Sequence, residues 1–176
     1  MSQRDYIDFQ ERNKPMAYLI TFRTYGTWLH GDERSSMNRR QHNQYGTPKI
    51  APSQQLVKAE QAQLKQLPVT LNQAQRVVVE QAIRDVCTHR GYQLLAVNVR
   101  TNHVHCVVAA TCEPEMVMNT FKAYATRYLR EGGLLSLEVK PWSRHGSNPY
   151  LWTPEQVERA VDYVINGQGD VPWSFK

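Results

Sequence analysis

Midway along the chain two apolar runs, "YQLLAVNVR" (Tyr92–Arg100) and "HVHCVVAA" (His103–Ala110), are separated only by Thr101 and Asn102. Two strand-like runs joined by so short a link turn back on one another, which predicts an antiparallel hairpin. In extended chain, alternate side chains face opposite sides. His103 and His105 then share one face of the second strand, while Val104, Cys106 and Val108 share the other. Two readings fit the paired imidazoles. They are half-buried strand histidines held by hydrogen bonds, or nitrogen donors to a divalent metal. The motif His-x-His alone is too short to choose between them.

The flanking segments supply the partners of the hairpin. "AYLITFRTYGTW" (Ala17–Trp28) is rich in aromatic and β-branched residues and reads as a first strand. A long polar loop is expected over about 31–69, where "SQQLVKAEQAQLKQLP" adds a short helix ended by Pro68. Thr70 is expected to cap a longer helix, with Gln73 three residues on and Gly91 as its stop. The next helix, "EPEMVMNTFKAYATRYLREGG", places Pro114 in its first turn and a stripe of Val117, Phe121, Tyr124 and Tyr128 on one face. "PWSRHGSNPYLW" reads as irregular strand or loop. Thr153 as cap, Pro154 at the first helical position and Gln156 then open a final helix that breaks at Gly167. Strand, helix, strand, strand, helix, then strand or loop is the order of an α+β fold. The expected architecture is a ferredoxin-like antiparallel sheet with helices packed on one face.

A chain of 176 residues fits a single domain, 1–176. Lys and Arg number 21 against 16 Asp and Glu, a net charge of +5 that suits an anionic partner. Cys87, Cys106 and Cys112 form no CxxC pair and are odd in number, so neither a disulfide framework nor a thiolate zinc site is suggested. The N-terminal residues lack the apolar centre of a signal peptide, and no window approaches the roughly 18 apolar residues of a membrane span. A soluble, cytoplasmic protein with no membrane partner is expected.

If the histidines hold a metal, a reactive group should stand beside it. On the final helix Val157, Ala160, Val161 and Val164 make the apolar stripe, and Tyr163 falls at its edge with its ring against the sheet. Packing alone also accounts for a tyrosine in that position. Asn166 and Gln168 flank Gly167, and either amide oxygen could act as a third, hard ligand.

"TNHVHCVV" resembles the His-hydrophobic-His strand of the HUH nucleases, and "LWTPEQVERAVDYVINGQGD" resembles the tyrosine helix of the single-tyrosine HUH transposases. Within that class the chain is most similar to the insertion-sequence type and to the REP-associated tyrosine transposases. "YLITFRTYGTWLHGDERSS", "NTFKAYATRYLRE" and "SNPYLW" extend the likeness, in the same order, over most of Tyr18 to Gly169.

The resemblance implies a fold of the HUH nuclease type, His103 and His105 as metal ligands, and Tyr163 as nucleophile. The family's third ligand lies one turn after the tyrosine, where this chain has Gly167; Gln168 is the first choice and Asn166 the second. The implied activity is ATP-independent, metal-dependent cleavage and rejoining of single-stranded DNA through a 5′-phosphotyrosine intermediate. The implied cofactor is Mg2+ or Mn2+, and the implied partner is single-stranded or hairpin-bearing DNA. Relatives act as monomers or as homodimers that exchange the tyrosine helix, and both arrangements stay open.

Arg34, Arg39 and Arg40 in the long loop, with Lys122, Arg127 and Arg130 on the second long helix, are candidate DNA-binding residues. Trp28, Tyr45, Trp142 and Tyr150 are candidates to stack on unpaired bases. The alternative is a non-catalytic DNA-binding regulator on the same fold. A histidine-triad hydrolase is disfavoured, because Val107 stands where that motif needs a further histidine.

Overall fold

The computed structural model describes residues 14–29 and 51–167. Along the chain come β1 (Ala17–Thr24), α1 (Gln54–Ala62), α2 (Gln73–Arg90), β2 (Gln93–Val99), β3 (His103–Ala109), α3 (Pro114–Glu131), β4 (Trp142–Ser147), β5 (Tyr150–Leu151) and α4 (Pro154–Asn166). β2 and β3 form the expected antiparallel hairpin, with a bulge between Leu94 and Ala96. The sheet order is β2-β3-β1-β4, and β5 pairs with the start of β1. Every pairing is antiparallel. This is the ferredoxin-like arrangement, with the histidine strand in the centre.

Residues of alternating parity send their side chains into two separate cores. Tyr18, Ile20, Phe22, Val104, Cys106 and Val108 meet α2 through Val79, Ala82, Ile83 and Val86, and α3 through Val117, Met118, Phe121 and Leu129. Ala17, Leu19, Val107 and Leu151 meet Ala160 and Val164 of α4 across the other face. Packing on one face, as expected, holds for α2 and α3 of the repeating strand-helix unit. The final helix lies on the opposite face. A fully buried Val such as Val164 contributes about 1.5–3 kcal/mol to holding it there.

Local signals set most boundaries, and tertiary contacts moved a few. α2 starts at Gln73 under an Asn72 cap, where Asn72 Oδ1 accepts from Gln75 N and Gln75 Oε1 accepts from Asn72 N, both at 2.9 Å. Thr70 is not the cap, because Leu71 is buried and donates its N–H to Thr101 O at 2.7 Å, which keeps the chain extended for two residues more. Gly91 ends the helix in the left-handed region at φ 70°. The short helix expected within the polar loop is α1, which winds from Gln54 under a Ser53 cap and ends at Ala62. For α4, Thr153 Oγ1 accepts from Gln156 N as expected, while the Gln156 side chain reaches back one residue further, to Trp152 N at 2.7 Å.

No helix among the described residues is long and apolar enough to cross a membrane. Cys87, Cys106 and Cys112 are all free thiols.

β4 is held from α3. Trp142 Nε1 donates to Lys122 O and Thr126 Oγ1, each at 3.0 Å, and its ring meets Phe22 edge-on at 5.0 Å. Gly146 closes this contact, because a Cβ there would overlap both Met118 Sδ and Thr21 O. Gly146→Ala therefore forces α3 or β1 to move. It should lower stability by about 1–3 kcal/mol, read as an earlier urea midpoint with an unchanged slope.

Candidate active site

The register of three strands builds the site. Thr21 of β1 and Asn98 of β2 both lie opposite His105 of β3, and two pairs further along Arg23 lies opposite His103. These residues share the face covered by α4. Toward its end β1 changes from buried on both faces to buried on one: Phe22 and Thr24 stay buried while Thr21 and Arg23 are only half-buried. The site sits where the cover of α4 runs out.

Each histidine is oriented through its Nδ1. His103 Nδ1 lies 2.7 Å from Asn102 Oδ1, an acceptor only, so Nδ1 donates to it. Asn102 is itself fixed by β1, since Thr24 N and Thr24 Oγ1 donate to Asn102 O at 2.9 and 3.1 Å. His105 Nδ1 lies 2.7 Å from Thr21 Oγ1. A metal-binding Nε2 needs the proton on Nδ1, and the Thr21 hydroxyl stands where it can accept it. The two rings meet at 4.6 Å between centroids. His105 is 7% exposed. Burial, helped by the charges of His103, Arg23 and Arg100, pushes its pKa down to about 3. At neutral pH it is a neutral nitrogen donor, the form a metal requires.

α4 brings Tyr163 onto this pair. Ala160 and Val164 anchor the helix in the sheet, and Asn98 Nδ2 donates to Val164 O at 2.9 Å. That bond ties the last turn of α4 to the strand beside His105 and satisfies a carbonyl the helix end would leave open. Gly167 caps the helix through its N–H to Tyr163 O at 2.9 Å. The Tyr163 ring meets the His105 ring at 5.3 Å and 74°. Burial raises the pKa of Tyr163, and the nearby charge of Arg23 opposes that rise.

Of the expected site residues, the fold brings His103, His105 and Tyr163 together. Gln168, Arg34, Arg39, Arg40 and Tyr45 lie outside the described residues. Asn166 is exposed and its amide donates to Asp162 Oδ1 at 2.8 Å, along α4 rather than toward the histidines. Among the described residues no group of three or more His, Cys, Asp or Glu side chains gathers as a metal cluster.

The candidate DNA-binding cations of α3 stand apart from the histidine pair. α3 packs on the face opposite α4, so Lys122, Arg127 and Arg130 lie across the sheet from Tyr163. Lys122 is 8% exposed, and its ammonium donates to Ser143 O at 2.9 Å and His145 O at 3.1 Å, binding β4 instead of lining an open surface. Arg130 donates to Leu137 O and Val139 O, which holds the loop after α3. Arg127 is exposed, stacks on Tyr124 at 4.4 Å and pairs with Glu131 at 3.6 Å. Among the aromatics, Trp142 is built into the core contact of β4, Trp28 lies against Arg23, and Tyr150 is exposed beside Trp152.

Thr21, Arg23, Asn98 and Asn102 were not foreseen from sequence. A period of two places Thr21 and Arg23 on one face of "AYLITFRT", but only cross-strand register shows that this face meets the histidines. Arg23, the one cation in that strand, is the visible hint.

A family model described as "Transposase IS200 like" matches residues 65–155, more than half of the 176-residue chain. The solved structure of a REP-associated tyrosine transposase bound to a REP hairpin is similar at 16% identity and a TM-score of 0.45, over 86% of this chain. This chain spans 65% of the length of that one. No curated protein matches the sequence.

The burial of His105 makes stability depend on pH. Unfolded, the ring takes a proton near 6.5; folded, it resists protonation until about 3. Between those values the unfolded chain binds more protons, so the stability contribution is full above about 6.5 and is lost as the pH falls toward about 3. Urea midpoints measured across that range should fall less steeply with acid for His105→Gln than for the parent.

Proposed function

Because the chain belongs to the IS200-like transposase family, we propose that it breaks and rejoins single-stranded DNA by transesterification, with Tyr163 as the nucleophile. The observation that carries this reading is the 5.3 Å approach of the Tyr163 ring to His105, made by two elements distant in sequence. The chain acts as one domain, and DNA bearing a hairpin is the proposed substrate.

His103 and His105 fit a divalent metal as far as their own chemistry goes: both are oriented through Nδ1, and His105 stays neutral. They would hold Mg2+ or Mn2+, with Gln168 as the proposed third ligand, and two imidazole donors suit Mn2+ better. Such an ion, when bound, supplies Lewis-acid polarisation of a non-bridging phosphate oxygen.

The chain's own residues do the rest. Tyr163 Oη forms a bond to phosphorus and its proton passes to solvent. The bond from phosphorus to the 3′ oxygen breaks, its electron pair leaves with that oxygen, and the oxygen takes up a proton as a 3′-hydroxyl. The 5′-phosphate stays on Tyr163. One phosphodiester has replaced another, so a second 3′-hydroxyl can reverse the step without ATP. With its pKa raised by burial, Tyr163 is protonated at neutral pH, and the site must stabilise the forming phenolate. Asn98 contributes by holding the last turn of α4 beside His105.

A second reading, a DNA-binding regulator without chemistry, draws on the bond from Asn166 to Asp162, which turns the second-choice ligand along α4 rather than toward the histidines. The two part in a simple assay. Candidate hairpin-bearing single strands labelled at the 3′ end are incubated with Mn2+ and run on denaturing gels. The parent should form a covalent adduct. Tyr163→Phe should lose it by at least about 1,000-fold while binding the strand within about threefold of the parent. His103→Ala should lose it as well, and Tyr150→Phe should keep it. Hairpin binding by the parent with no adduct on any strand would favour the regulator.

A further inference from the structure

We propose that Arg100, at the turn of the β2–β3 hairpin, binds a backbone phosphate of the single strand, next to the phosphate that lies at the histidines. This rests on the reading that the site takes single-stranded DNA, and it adds a contact that sets where the strand lies.

Register places the residue. Asn98 lies opposite His105 and Val99 opposite Val104, and the ladder runs one step past β2, because Arg100 N donates to His103 O at 2.8 Å. Alternation then fixes its face. The Asn98 amide turns toward α4, where it donates to Val164 O, and Val99 packs in the core under α2 and α3. Arg100 returns to the face of Asn98, His103 and His105. It stands two residues, about 7 Å, beyond the bond that ties down the last turn of α4.

The side chain itself is uncommitted. Arg84 pairs with Glu80, Arg127 pairs with Glu131, and Arg130 gives its donors to Leu137 O and Val139 O. Arg100 is exposed, and among the described residues its guanidinium has no hydrogen bond or ion pair. Its planar fork of N–H donors matches two oxygens of one phosphate.

The surroundings select an anion. Between Asp85 and Glu113 the chain has no Asp or Glu, and none occurs in 17–28 or 139–152. All five strands lie in these stretches. On α4, Asp162 precedes Tyr163 and accepts from Asn166 Nδ2 at 2.8 Å. A ligand that runs along this end of the sheet thus meets the charge of Arg100 and no carboxylate from any strand. A nucleic acid strand carries a phosphate at every nucleotide, so with one phosphate at the histidines its neighbour comes within reach of an arginine paired to His103.

The test uses the full chain and the hairpin-bearing single strand that the parent binds most tightly in a library. Binding is followed by fluorescence anisotropy in EDTA across a salt series, apart from cutting. Arg100→Gln should bind about tenfold more weakly than the parent. Its slope of log affinity against log salt should be shallower by about 0.7, the value for one single-strand phosphate. Arg84→Gln removes the same charge from α2, across the sheet, and should keep the parent's affinity and slope. A set of strands, each with one phosphate replaced by a neutral methylphosphonate, locates the contact. For the parent, one replacement next to the phosphate that is cut should weaken binding, and for Arg100→Gln that replacement should add no further loss. With Mn2+ and saturating protein, Arg100→Gln and the parent should form adduct at rates within about threefold, since the contact positions the strand.

Should Arg100→Gln fail to fold, Arg100→Lys gives the reading. It keeps the charge without the fork, so it should keep the slope, bind the ordinary strand about threefold more weakly and match the parent on that methylphosphonate. Parent-like affinity and slope in Arg100→Gln, or an equal loss at every methylphosphonate position, overturns the proposal while the role of Tyr163 stands. A saturated adduct rate that falls further than threefold overturns it too, by moving Arg100 into the chemistry. A parent that binds strands and forms no adduct overturns the reading of Tyr163, and the binding series still decides for or against Arg100. A parent that binds no single strand overturns both.

Discussion

The pairing of β1 with β3 is the constraint on which the rest depends. It sets Thr21 against His105 and Arg23 against His103, and through Thr24 it fixes the Asn102 that orients His103. A slip of one residue would send both imidazoles into the apolar layer under α2 and α3, and would bring Val104 and Cys106 out beneath α4. Phe22, Val104 and Cys106 are fully buried, so that slip is strongly opposed. The hydrophobic core on one face thereby holds the register of the polar groups on the other.

Burial at the site acts in opposite senses on its two kinds of group. It keeps His105 neutral and keeps Tyr163 protonated, because each charged form loses water. The first effect readies a nitrogen donor. The second keeps the phenol protonated, so in the proposed reaction Tyr163 needs positive charge close by as it ionises. A site at the end of the cover given by α4 is dry enough to shift both groups.

The two faces of the sheet divide the labour. α2 and α3 make the larger core and take over cations that look, from sequence, like a DNA-tracking row. Lys122 and Arg130 spend their donors on carbonyls of β4 and of the loop after α3. α4 is secured by a smaller apolar contact and by the bond from Asn98. Tyr163, the proposed nucleophile, rides on this helix, and the two histidines on the central strand of the sheet.

What the residues alone determined is local. Thr101-Asn102 between two apolar runs makes the hairpin, alternation puts His103 and His105 on one face, and Thr153, Pro154 and Gly167 bound the last helix. Each of these follows from neighbours a few positions away. The order of elements then pointed to the ferredoxin-like sheet, and the likeness of two motifs pointed to the family. Tertiary structure decided that α4 covers the face opposite α3, that Lys122 is buried, that Leu71 delays the start of α2, and that Arg23 stands beside His103. Such outcomes depend on register and layering between segments tens of residues apart, where a lysine that serves a phosphate and one that serves a carbonyl are written with the same letter.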